Sequence, residues 1–122
     1  MNTLLDRVLV VDNDRDVADL LTEILRLHDI PACAAYGGAE ALVAAQMLRP
    51  ATMLLNLWMP NIDGFAVAAA LARTSSPPYL VAMSAVDDHA TRVRAREAGF
   101  GAHIRKPLSI ETIVQAVKRP HC

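Results

Sequence analysis

The strongest constraint on this chain is an alternation: apolar runs of strand length are followed, five times, by stretches whose apolar residues recur at helical spacing. Repeated βα units of this kind build an α/β fold, an open parallel sheet with helices on both faces. The expected strands are 8–11, 32–36, 52–55, 79–83 and a short one at 103–104. The expected helices are 15–27, 38–48, 65–72, 89–98 and 110–117. Val17, Leu20, Leu21, Ile24 and Leu25 fall on one stripe of the first helix. With 122 residues the chain is expected to form one domain spanning 1–122, long enough to bury a core without metal or disulfide staples.

Local punctuation agrees. Asp14 is placed to cap the first helix, Ser109 with Thr112 opens the last, and Gly99 with Gly101 lets the fourth end in a tight reversal. Pro77 and Pro78 exclude helix before the fourth strand. Hydrophobic residues make up 53% of the chain but aromatics only 4%, so the interior must be aliphatic and rich in alanine, with closely approaching helices. The tail from Arg119 to Cys122 reads as a frayed terminus or the start of a linker.

Several classes of function are disfavoured. A formal net charge of −1 and no long basic run give no general attraction to nucleic acid or to an acidic membrane, so neither is an expected partner. Cys33 and Cys122 make a poor disulfide framework, and Cys33 reads as a small buried hydrophobe. Without a signal peptide or spanning segment, a reducing cytoplasm is the expected setting. No glycine-rich phosphate loop follows the first strand, where Asp12, Asn13 and Asp14 stand instead.

In an open parallel sheet the carboxyl ends of the strands line one crevice. The first strand ends at Asp12 and Asn13, the third at Asn56, the fourth at Ser84 and the fifth at Lys106, so these five residues are expected to form one constellation.

Together these segments resemble the receiver domain of two-component response regulators along nearly the whole chain. The resemblance is carried by the acidic turn at Asp12, by Leu55 to Pro60 with Asp63 and Gly64, by Ser84 and Ala85, and by Lys106 and Pro107. It implies a flavodoxin-like doubly wound (βα)5 sandwich with strand order 2-1-3-4-5. In that family an aspartate at the position of Asn56 accepts a phosphoryl group from a histidine kinase, and acids at positions 12 and 13 help hold magnesium. A hydroxyl at the position of Ser84 and the ammonium of Lys106 bind the phosphoryl oxygens. Output usually runs through the face of the fourth helix, fifth strand and fifth helix, where an aromatic at the position of His103 moves with the hydroxyl. The bond from Lys106 to Pro107 resembles the family's cis linkage.

The departures are as informative as the matches. Asn13 and Asn56 carry amides where the family pattern expects aspartates, so the pocket keeps one carboxylate of three. Asp12 and Lys106 alone form a neutral pair, attracting by about 4 kcal/mol at roughly 4 Å and an effective dielectric of about 20, before desolvation. No resident cofactor is expected; if magnesium binds at all, it binds weakly, through Asp12 and the backbone carbonyl of Trp58. Asp14 as a substitute ligand ranks below its capping role, and both amides also suit strand-to-loop junctions for structural reasons alone. Trp58 reads as a partly exposed loop aromatic able to report on the pocket.

The preferred reading is a receiver unable to accept phosphate at Asn56, acting through protein contacts and not as an enzyme. An alternative stays open: a conventional phosphate-accepting receiver with Asn introduced at position 56 by design. A third reading is a small α/β enzyme using the same crevice. Expected partners are a histidine kinase, a phosphotransfer protein or an effector domain at the output face, with a homodimer as another option. Arg92, Arg94, Arg96, Arg105 and Lys118 form a candidate basic surface there for an acidic partner. His103 reads as a lone exposed histidine that either titrates near neutral pH and ties this face to proton concentration, or has no such role.

Overall fold

Five apolar segments become five parallel strands because each can be covered on both faces. The computed structural model describes residues 7–106 and 109–118. In chain order the elements are β1 (Val8–Val11), α1 (Arg15–Leu27), β2 (Ala32–Ala35), α2 (Gly38–Leu48), β3 (Thr52–Asn56), α3 (Gly64–Leu71), β4 (Tyr79–Ser84), α4 (His89–Glu97), β5 (Ala102–Arg105) and α5 (Ile110–Lys118). The sheet order is β2-β1-β3-β4-β5, as expected.

Strand alternation divides the core into two layers. Leu9, Val11, Met53 and Leu55 join Ala41 and Ala45 of α2, Phe65, Val67, Ala68 and Leu71 of α3, and Ala95 of α4 on one face. Val8, Val10, Leu54, Val81 and Ile104 join Ala18, Leu21 and Leu25 of α1 and Ile113 and Val117 of α5 on the other. Each fully buried aliphatic side chain contributes about 1.5–3 kcal/mol relative to exposure.

The element limits differ from expectation by a residue or two, with visible causes. β2 stops at Ala35 because the amide of Tyr36 donates to Glu40 Oε1 at 2.9 Å and not to a strand neighbour. β3 extends through Asn56, which pairs with Met83, and β4 through Ser84, which pairs with Arg105. β5 is four residues, longer than the two expected, because Ala102 and Arg105 both find register on β4.

Gly64 and Gly101 are among the glycines that permit close approach. A Cβ on Gly64 would lie 2.6 Å from the carbonyl oxygen of Asn56, so only glycine lets α3 start against the end of β3. A Cβ on Gly101 would lie 2.1 Å from the Tyr79 ring. Gly99 has φ 106°, the left-handed reversal that closes α4. Cys33 is half-buried, less enclosed than expected, and is bonded to no other described cysteine. Pairing of Cys33 with Cys122, the geometry of Pro107, and the tail 119–122 lie outside the described residues. No described helix is long and apolar enough to cross a membrane.

Candidate functional site

The register that aligns Val11 with Leu55 sets the next residues, Asp12 and Asn56, side by side at the carboxyl edge of the sheet. Asp12 is 1% exposed, so its charge needs partners. It has three. Lys106 Nζ donates to Oδ2 at 2.8 Å, while Oδ1 accepts from the amide of Asp14 at 3.0 Å and from Asn56 Nδ2 at 3.4 Å. Lys106 reaches this point because its own amide donates to the carbonyl of Ser84, holding the end of β5 against β4. The expected neutral pair of Asp12 and Lys106 is therefore formed.

Asn56 is the hub. Its Nδ2 lies within hydrogen-bonding distance of Asp12 Oδ1, of Asn13 Oδ1 at 3.1 Å and of the Trp58 carbonyl at 3.0 Å, while Lys106 Nζ donates to its Oδ1 at 3.4 Å. The reverse amide orientation would set Oδ1 against three acceptors and Nδ2 against an ammonium, so the network fixes the side chain. The place where carboxylate, amide and carbonyl oxygens converge holds an N–H donor. Magnesium prefers six oxygen ligands, commonly with anionic carboxylates, and this donor set offers one carboxylate already bonded to an ammonium. The residues present do not fit that ion. Among the described residues no group of three or more His, Cys, Asp or Glu is placed to hold a metal.

Ser84 is fully buried at the end of β4, but its Oγ accepts from the amide of Val86 at 2.9 Å and so organises its own loop. Four of the five expected residues share one hydrogen-bonded network; Ser84 joins it only through its backbone. Asp14 caps α1, accepting from the amides of Asp16 and Val17, consistent with the capping role. Asp63 and Asp88 cap α3 and α4 in the same way.

Around this site the structure corrects two expectations. His103 is not exposed: its side chain is 8% accessible, neither ring nitrogen has a hydrogen-bond partner, and Nδ1 lies 3.6 Å from Asp87 Oδ1. Burial pushes its pKa down, the Asp87 carboxylate opposes that, and Arg92 adds to it. The five basic residues do not form one surface either. Arg94 turns away, its guanidinium 3.9 Å from the Phe65 ring centroid and 5.6 Å from that of Trp58. Arg92 pairs with Asp87, and its guanidinium holds that carboxyl below the ordinary range.

Sequence reasoning missed Asp87 and the Arg94 stack. Two consecutive acids before a helix, Asp87 and Asp88, were a signal, since only one of them can cap. Trp58 is half-exposed and packs edge-on to Phe65, as a loop aromatic beside the pocket should.

A family model described as the response regulator receiver domain matches residues 8–118. The chain belongs to that family. Among curated relatives of this receiver, the DNA-binding response regulator MtrA of Mycobacterium tuberculosis is 34% identical over 118 residues, covering 97% of the receiver and 51% of the relative. The transcriptional regulatory protein PrrA of Mycobacterium tuberculosis is 42% identical over 115 residues, covering 92% and 48%. The receiver thus spans about half the length of the curated relatives it matches. In structure it is similar to the chemotaxis protein CheY4 of Vibrio cholerae, with a TM-score of 0.88 at 22% identity, covering 93% of this chain and 96% of that one. It is also similar to a response regulator signal receiver domain from Bermanella marisrubri, with a TM-score of 0.83 at 26% identity, covering 92% and 94%. The receiver is a two-component signalling module, and the sheet order expected from the resemblance is the one observed.

Proposed function

We propose that this receiver signals without accepting a phosphoryl group, Asn56 standing where the family pattern expects a phosphoacceptor aspartate. One observation carries the reading. Nδ2 of Asn56 is directed at the oxygens of Asp12, Asn13 and Trp58, where a magnesium ion would otherwise be expected. An amide has no anionic oxygen with which to attack phosphorus, so no acyl phosphate forms there. Magnesium is not required, because Lys106 already balances the charge of Asp12.

The receiver then acts through protein contacts and not as an enzyme. The face of α4, β5 and α5 is the surface we assign to a histidine kinase, phosphotransfer protein, effector domain or second copy. Both curated relatives are named as DNA-binding or transcriptional regulators, which supports an effector of that class. Arg92, Arg96 and Arg105 place cationic groups on this face beside Asp87, suited to an acidic partner. We assign the cytoplasm as its setting.

Restoration of acids tests this. Asn56→Asp alone should accept little phosphate from a small phosphodonor, because position 13 still lacks a carboxylate; Asn56→Asp with Asn13→Asp should recover magnesium affinity. Intact-mass spectrometry reads the first and calorimetry the second. Robust phosphorylation of the single variant would point instead to a conventional receiver whose aspartate had been replaced at position 56.

A further inference from the structure

His103 lies on β5 between Ala102 and Ile104, whose side chains serve the α5 layer, so its ring faces α4. There it borders a groove of about 370 Å³ with Arg92, Ala95, Arg96, Phe100, Gly101 and Ala102. Both ring nitrogens are buried and unpartnered. A neutral imidazole can donate from one nitrogen and accept at the other, so leaving both unmet is costly and marks a group whose proper partner is not in place. The nearest candidate is the Asp87 carboxylate in the loop from β4 to α4, 3.6 Å from Nδ1, too far for a hydrogen bond.

Every charged group around the ring bears on what a proton would do. Asp87 is held by Arg92 of α4 through Nε to Oδ1 and through Nη2 to Oδ2 at 3.0 Å. Arg96 of α4 lines the groove, and Arg105 on the same strand also acts on Asp87. Asp88 is engaged by the amide of Thr91 at 2.8 Å. Glu111 and Lys118 belong to α5, on the opposite face of the sheet. Two guanidinium groups, those of Arg92 and Arg105, thus act on the Asp87 carboxylate, and His103 can become a third cation.

We propose that His103 is a proton-operated latch on this face: neutral, it leaves Asp87 to Arg92; protonated, it draws Asp87 to itself and loosens Arg92 toward an acidic partner. The partner clause rests on the docking face assigned above, whereas the latch itself does not. The movement is small, since closing 3.6 Å to a charge-assisted hydrogen bond requires a shift of roughly 0.8 Å. The proton comes from solvent and no other reactant is involved. Burial outweighs the pull of Asp87, so the change falls on the acid side of the ordinary histidine value.

The test is an NMR titration of the chain between about pH 7.5 and 5.5, following the His103 ring and the backbone amides from Asp87 to Ala95. The ring of His103 and the amides of Thr91 and Arg92 should share one midpoint, on the acid side of the ordinary histidine value. His103→Gln should abolish that amide response in a folded protein. His103→Phe, which fills the same space, serves if the first variant unfolds. Asp87→Asn should move the midpoint further down. Amides that titrate unchanged in both His103 variants, or that ignore His103 in the parent, would overturn the latch. Poly-L-glutamate binding provides the second readout: it should tighten on acidification in the parent and not in His103→Gln. If the amides follow His103 but poly-L-glutamate binds no better in acid, the partner clause is wrong and the latch stands. No readout uses magnesium or a phosphodonor, so failure here is distinguishable from failure of the Asn56 reading.

Discussion

At the scale of single residues, Asp12 is the most deeply buried carboxylate among the described residues, 1% exposed and held by Lys106 at 2.8 Å. Lys106→Ala should destabilise by about 2 kcal/mol, below the usual cost of breaking a fully buried pair because the lysine side is partly solvated. Asp12→Asn should cost less, about 1 kcal/mol, because the freed ammonium can turn to water. Urea denaturation of both variants measures the asymmetry; equal losses would mean that Lys106 is as enclosed as Asp12. The amide at position 56 was visible in the sequence, but its bonds were not, since they depend on β1 and β3 lying side by side. His103 was misread for a similar reason: nothing local reveals that the loop bearing Asp87 and the start of α4 cover the ring.

Among elements, legibility follows periodicity. The stripe on α1 was readable only in part: Leu21 and Leu25 are buried and Val17 and Ile24 half-buried as expected, but Leu20 is 60% exposed, and the small Ala18, which was not in the expected stripe, is buried against the sheet in its place. In α2 and α3 apolar residues run all the way round, so the sequence announces helices without saying which side is inside. Tertiary packing decides it: Ala41 and Ala45 are buried while Val43 and Met47 are largely exposed. Gly101→Ala forces a methyl into the Tyr79 ring and should cost about 1–3 kcal/mol. Gly37→Ala meets nothing within 4 Å and has an extended φ of 179°, so it should change stability by less than about 0.5 kcal/mol. Thermal unfolding of the two variants compares them directly, and equal effects would contradict the packing at Gly101. Loss of the α1 cap in Asp14→Ala should cost about 1 kcal/mol by the same measurement.

For the whole molecule, the scaffold explains how a receiver can lose acids and keep its fold. The buried layers on either side of the sheet contain none of the site residues. Burial keeps the folded-state pKa of His103 below the unfolded value of about 6.5, so as pH falls through that value the unfolded chain takes up the proton first. The His103 contribution therefore lowers stability between about pH 6.5 and its folded-state midpoint and has no effect above that window. His103→Gln should flatten this part of the profile in urea melts; an unchanged slope would mean that the ring titrates freely. The most direct measurement is a magnesium titration of the unaltered chain, with and without beryllofluoride, followed by the fluorescence of Trp58, its only tryptophan. Because Trp58 gives its carbonyl to Asn56 and its ring to the Phe65 and Arg94 stack, it should register any ion entering the crevice. A flat response in folded protein is expected from a pocket closed by Asn56 and Lys106, and a saturable change would contradict it.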